Sequence, residues 1–326
     1  MFYETLDDKK VRCNLCPQLC TLGPGQNGIC RGRMNKDGKL VALTYAETIS
    51  LSNDPVEKKP LYHFYPGKYL LSMGPNACNL KCQHCQNWEV SQTKVRTSRI
   101  SPEQAVEFAQ STRNCVGLSF TYTEPLMWYE YVLETAKIAR SKGVKITLVT
   151  NGFINPTPAE KLLPLVDAIN LDIKSMDDDF YRKVCGAKLQ PVLDFAKQAK
   201  PMTMLEITNL LIPGHNDRSD QVQMLVDWVH DNLGPNTPLH FSRYFPRYKM
   251  TSPATPIETL LKARKMATEK LKFVYVGNVM NDNLHNTYCP NCGELLVERS
   301  GYSVRIAKLK SEKCGNCGEQ IPIVTS

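Results

Sequence analysis

From residue 69 onward, short apolar runs alternate with longer stretches in which apolar positions recur every three or four residues. The first kind reads as strands buried on both faces, the second as amphipathic helices. Strands are predicted over 69–73, 116–121, 145–150, 168–173, 202–212 and 239–244, and helices near 102–113, 126–141, 157–164, 178–200, 219–233 and 255–271. Three helix starts share one signature. Ser101-Pro102-Glu103-Gln104, Thr157-Pro158-Ala159-Glu160 and Thr255-Pro256-Ile257-Glu258 each place a hydroxyl at the N-cap, proline at N1 and a capping-box acceptor at N3. Six β/α units in series imply an α/β fold, a parallel sheet covered by helices and curved into a partial (β/α)6 barrel. Ligand sites in such sheets lie at the C-terminal ends of the strands.

Two cysteine-rich segments flank that core, dividing the chain into 1–68, 69–280 and 281–326. In the first, Cys13, Cys16, Cys20 and Cys30 can close an all-cysteine site around structural zinc or a second iron–sulfur cluster. Zinc is favoured, because nothing there leaves an open coordination position. A short strand is expected over 40–45, followed by a polar loop over 54–64. Lys58, Lys59 and His63 of that loop either line a site or belong to a solvated linker with one packed histidine. In the last segment, Cys289-Pro290-Asn291-Cys292 and Cys314-Gly315-Asn316-Cys317 are two C-x2-C knuckles around an expected hairpin. That is the pattern of a zinc ribbon.

Charge and composition change the picture only modestly. The formal charge of +8 falls to about +3 once metal-bound thiolates and their metals are counted, which weakens any case for nucleic-acid binding. The first ten residues lack the apolar stretch of a signal peptide, and no apolar run approaches the ~18 residues of a membrane span. With 13 cysteines and no export signal, metal centres are expected over disulfides, in a cytoplasmic protein.

The stretch after the first core strand carries the chemistry. Cys78, Cys82 and Cys85 are spaced C-x3-C-x2-C, and Cys115 is the next cysteine. Three thiolates fill neither a tetrahedral zinc site nor a cubane iron–sulfur cluster, so a 4Fe–4S cluster held here keeps one iron open.

This loop at the end of the first strand of a β/α repeat resembles the radical S-adenosylmethionine (SAM) superfamily. The Cys13–Cys30 group, the 54–64 segment, Cys82-Gln83-His84-Cys85-Gln86-Asn87-Trp88 and the terminal ribbon look like the radical SAM member of the AmmeMemoRadiSam system. That group is related to activating enzymes of glycyl-radical enzymes. The resemblance implies that the open iron chelates the methionine end of SAM. Reductive cleavage then yields a 5′-deoxyadenosyl radical that abstracts hydrogen from a substrate. It implies a flavodoxin- or ferredoxin-type electron donor and work alongside Memo-like and AMMECR-type proteins.

Residue by residue, the resemblance places His84 and Asn87 of the cysteine loop near SAM, His84 against adenine. Glu124 stands where the superfamily commonly ends Gly-Gly-Glu, although Thr121-Tyr122-Thr123 replaces the glycines; alternatively it is a helix-start charge. Thr150 and Asn151 face the ribose, and Asp172 and Lys174 share one strand face towards ribose and carboxylate. Ile212 belongs to an adenine-edge motif whose first glycine is Leu210 here, and His240 matches a histidine near SAM. Cys115 and Cys185 are either substrate-side thiols or, the favoured reading, small buried hydrophobes. Two alternatives remain: activation of a glycyl-radical enzyme on a protein partner and, more remotely, a non-catalytic zinc-ribbon protein that binds nucleic acid.

Overall fold

A computed structural model describes residues 1–280 and 282–325 and shows an eight-stranded central sheet. Its strands are β1 (Leu51–Pro55), β2 (Tyr69–Met73), β3 (Cys115–Phe120), β4 (Lys145–Thr150), β5 (Ala168–Asp172), β6 (Met204–Leu211), β7 (Leu239–Arg243) and β8 (Val274–Gly277). Each lies beside its neighbours in sequence, from β8 at one edge to β1 at the other. Strands β2 to β8 are parallel, and β1 runs antiparallel to β2. Helices α1 (Pro102–Ser111), α2 (Tyr129–Ser141), α3 (Pro156–Leu162), α4 (Gln190–Ala199), α5 (Ser219–Leu233) and α6 (Ile257–Ala267) connect them. Sequential parallel order is the winding of a β/α barrel. Among the described residues β1 and β8 do not pair, so the barrel is open.

The six expected strands are present, and two more extend the sheet. The segment expected as a polar loop instead supplies β1 and a single 3-10 turn, Val56–Lys58, with Val56, Glu57 and Lys59 buried. The helix expected over 178–200 is broken. A short helix, Asp178–Phe180, widens into a π turn over Tyr181–Cys185 and stops at Gly186, whose φ of 69° is left-handed; α4 then restarts with Pro191 in its first turn. The break leaves the carbonyls of Val184 and Cys185 free to accept from Gln83 N (2.9 Å) and Lys81 N (2.7 Å) of the cysteine loop.

Only one of the three helix starts forms a capping box: Ser101 Oγ accepts from Gln104 N while Gln104 Oε1 accepts from Ser101 N. Helix α3 starts two residues before that signature, with Asn155 rather than Thr157 at its N-cap, because the Asn155 amide is held by Asn14 O at 2.8 Å. Thr255 lies outside α6. Its hydroxyl accepts from Tyr244 N and donates to Leu211 O, tying together the ends of β6 and β7.

The terminal segments occupy opposite ends of the barrel. Residues 13–30 pack at the C-terminal ends of the strands, where Asn155 N donates to Leu15 O and Cys78 N to Cys30 O. The ribbon covers the other end. Its hairpin, Leu295–Ser300 with Ser303–Ile306, packs Leu296 and Val297 against Tyr62, Phe273 and Tyr275. Val324 N also donates to His63 O at 2.8 Å.

Candidate active site

A cavity of about 540 Å³ opens at the C-terminal ends of β2 to β7, within the size range of small-molecule sites. Cys78, Cys82 and Cys85 line one side of it, on the loop that the broken helix holds by two backbone hydrogen bonds. Cys82 is buried, and Cys85 Sγ lies 3.2 Å from Ser91 Oγ. Three thiols facing one cavity suit a cubane cluster with an iron left free, which is the chemistry this donor set supports.

His84 lines the same wall, buried and stacked on Phe180 at 5.9 Å and 30°. Its Nδ1 has no hydrogen-bond partner, and burial, with Lys174 and His215 nearby, pulls its pKa down to about 3. A neutral ring with an orphaned buried nitrogen is suited to a ligand. Asn87 is exposed, its amide donating to Tyr122 O at 2.7 Å.

Across the cavity, β3 and β4 build an acidic corner. Glu124 is fully buried and accepts from Leu126 N (3.0 Å), Thr150 Oγ1 (2.6 Å) and Asn151 N (2.8 Å). Burial pushes its pKa up to about 7 in spite of those three donors. The helix-start alternative therefore describes part of its bonding, since Leu126 N is a first-turn donor. The Asn151 amide donates to Asn79 Oδ1, one residue beyond Cys78. At β5, Asp172 and Lys174 pair at 3.1 Å. Burial opposes the Lys174 charge, but Asp172 and the sulfurs of Cys82 and Cys185 raise its pKa well above the ordinary range.

The cavity omits two of the expected residues. Ile212 is buried behind its wall, with its N–H on Asn216 Oδ1 at 2.7 Å; Leu210 is the lining residue instead. His240 lies deeper in the barrel than Ser242, the lining residue of β7, and its Nε2 meets Glu206 Oε2 at 2.6 Å. Glu206 also accepts from Tyr62 N and His63 N, forming a buried network below the cavity towards the ribbon. His63 is packed there, with Nδ1 on Pro322 O and Nε2 on Tyr275 Oη.

Of the two readings of the 54–64 segment, Lys58 and Lys59 follow the first: they line the cavity, and both grip Asp54, at 2.8 and 2.6 Å. The partners that hold them there were not anticipated. The Tyr122 hydroxyl donates to Asp54 Oδ2 at 2.6 Å, and the Lys59 ammonium lies 4.6 Å from the Tyr122 ring centroid. Burial resists the Asp54 charge, but these donors hold its pKa well below the usual carboxylate range. Cys185 is fully buried, with its sulfur within 4.8 Å of Cys82 and His84. Beyond β7, Tyr248 stacks on Trp88 at 5.0 Å and Lys249 N donates to Gln83 O, so this segment crosses to the cysteine loop.

The two cysteine quartets differ in spacing. The ligand atoms of Cys289, Cys292, Cys314 and Cys317 all lie within 4.8 Å of one another, whereas Cys13, Cys16, Cys20 and Cys30 surround a separate cavity.

An open parallel β/α barrel with a three-cysteine loop at its strand ends defines the class of protein, and comparison with known proteins places it further. The family model of the radical SAM superfamily matches residues 74–229. An uncharacterized protein of Methanocaldococcus jannaschii is 48% identical over 99% of this chain and 98% of its own length. The pyruvate formate-lyase 1-activating enzyme of Escherichia coli K12 is 24% identical over 161 residues, covering 47% of this chain and 65% of that enzyme. Among solved structures, Streptococcus suis SuiB bound to S-adenosylmethionine matches 66% of this chain and 50% of its own at 15% identity, with a TM-score of 0.51. That last likeness is one of fold. The chain belongs to the radical SAM superfamily, is related to the activating enzymes of glycyl-radical enzymes, and is an enzyme.

Proposed function

We propose that Cys78, Cys82 and Cys85 hold a 4Fe–4S cluster and that SAM occupies the adjoining cavity. One observation carries this reading: the three thiols open into the same cavity as Glu124, Thr150, Asn151, Asp172 and Lys174. Bound together, the cluster supplies one electron and SAM the 5′-deoxyadenosyl group that takes hydrogen from a substrate. The chain's own residues bind and orient. His84 offers a ring face, held by Phe180, to the adenine. Glu124 presents a carboxylate to the methionine amino group, Thr150 and Asn151 hold that carboxylate in place, and Asp172 and Lys174 offer an acceptor and a donor to ribose and carboxylate.

The substrate is the open choice, and the relationship to the pyruvate formate-lyase activating enzyme favours a glycyl radical on a protein partner as the second reading. The wider proposal includes a flavodoxin- or ferredoxin-type electron donor, the AmmeMemoRadiSam setting with Memo-like and AMMECR-type partners, and a reducing compartment such as the cytoplasm, which suits free cysteines. It also includes zinc in the ribbon. The reduced, anaerobically purified protein tests the binding mode: added SAM should change its electron paramagnetic resonance spectrum. Cys82→Ala should abolish the SAM-responsive signal. A wild-type spectrum unmoved by saturating SAM contradicts the proposal.

A further inference from the structure

We propose that Cys13, Cys16, Cys20 and Cys30 hold a second 4Fe–4S cluster rather than zinc. The first support is spacing. A zinc–thiolate bond of about 2.3 Å puts tetrahedral sulfurs roughly 3.8 Å apart. The ribbon has that geometry: Cys289 and Cys317 sulfurs are 3.6 Å apart, Cys292 and Cys314 sulfurs 3.7 Å, and all four fall within one 4.8 Å group. Among the described residues, no such group contains Cys13, Cys16, Cys20 or Cys30. Nor does any unite Cys78, Cys82 and Cys85. The N-terminal thiols thus lie too far apart to close on one zinc ion, unlike those of the ribbon.

The second support is the lining around them. The four cysteines line one small pocket together with Leu15, Leu22, Met127 and Arg33. That pocket is equipped for an anion. Arg33 is 2% exposed, and while its terminal nitrogens bind Glu130, its Nε has no partner. Zinc and a cluster on four thiolates carry the same charge, so this unpaired donor identifies a loaded site and the sulfur spacing identifies what loads it.

The placement is also informative. Cys78 N donates to Cys30 O at 3.3 Å, and Asn79 lines the N-terminal cavity while bonding Asn151 of the SAM-side cavity. The two centres are therefore direct neighbours at one end of the barrel.

Metal analysis of the full chain, reconstituted anaerobically, is the test. Wild type should carry about eight irons and eight sulfides per chain with one zinc, and the Cys78→Ala/Cys82→Ala/Cys85→Ala variant about four irons, still brown, with one zinc. A triple variant with no iron and two zincs overturns the proposal, whatever happens to SAM chemistry. Should that variant fail to fold, anomalous scattering at the iron and zinc edges from wild-type crystals decides. An iron signal between Cys13 and Cys30 supports the cluster, and zinc alone or an empty site overturns it.

Discussion

Glu124 is buried with three hydrogen-bond donors and no cationic partner among them. Its pKa rises from an ordinary 4.5 to about 7, so the folded chain keeps a proton that the unfolded chain releases. Stability is therefore highest below pH 4.5 as far as this group is concerned, and falls as pH rises towards 7, by roughly 3 kcal/mol in all. Urea midpoints of wild type and Glu124→Gln at pH 5 and 7.5 should diverge, the amide variant lacking this part of the slope. Parallel slopes would contradict the assignment. Glu206 behaves differently, because Tyr62 N, His63 N and His240 all donate to it. Glu206→Ala strands those donors and should cost about 3–5 kcal/mol in denaturant unfolding. His240→Gln keeps a donor for Glu206 and should leave SAM affinity within twofold, whereas a tenfold loss would return His240 to the SAM site. The three thiols and Glu124 were legible in the sequence because motif spacing and position at a strand end survive without coordinates. The Asp54–Lys59–Tyr122 cluster was not. Tyr122 lies 68 residues from Asp54, and their contact depends on an edge strand that carries no apolar alternation.

At the scale of elements, the break between the π turn and α4 matters most, since it supplies the two carbonyls that hold the cysteine loop. Apolar spacing runs on through 178–200, so periodicity joined what Gly186 and Pro191 separate. A Cβ at Gly186 would meet nothing nearer than Lys81 Cβ at 3.5 Å, an ordinary contact, so Gly186→Ala pays for its left-handed backbone alone, about 1 kcal/mol. Gly152, at the end of β4, is also left-handed, and a Cβ there would meet Leu171 Cδ1 at 2.6 Å and Phe195 Cδ1 at 2.9 Å. Gly152→Ala should therefore lower the unfolding midpoint clearly more than Gly186→Ala. The reverse order would mean that the packing around β4 is misjudged. The three proline-containing helix starts show the same limit. Sequence located helices α1, α3 and α6, but tertiary partners for Asn155 and Thr255 decided where two of them begin.

At the scale of the molecule, the barrel separates its cysteine clusters by end. The cysteine loop and the N-terminal quartet lie at the C-terminal ends of the strands, and the ribbon closes the opposite end over Tyr62 and Tyr275. Cys314→Ser should accordingly lose one zinc and destabilise the ribbon while leaving the iron content of the chain unchanged; a parallel loss of iron would show the ends to be coupled. The α/β class and the six-strand core were readable because strands buried on both faces are unbroken apolar runs. Strand β8 is only four residues long and β1 is polar, so neither stood out. The central claim is that this end of the barrel cleaves SAM. The most direct measurement is 5′-deoxyadenosine released from SAM by the reduced, fully iron-loaded protein. The product should form with wild type and vanish with Cys78→Ala, and its absence from wild type would contradict the account.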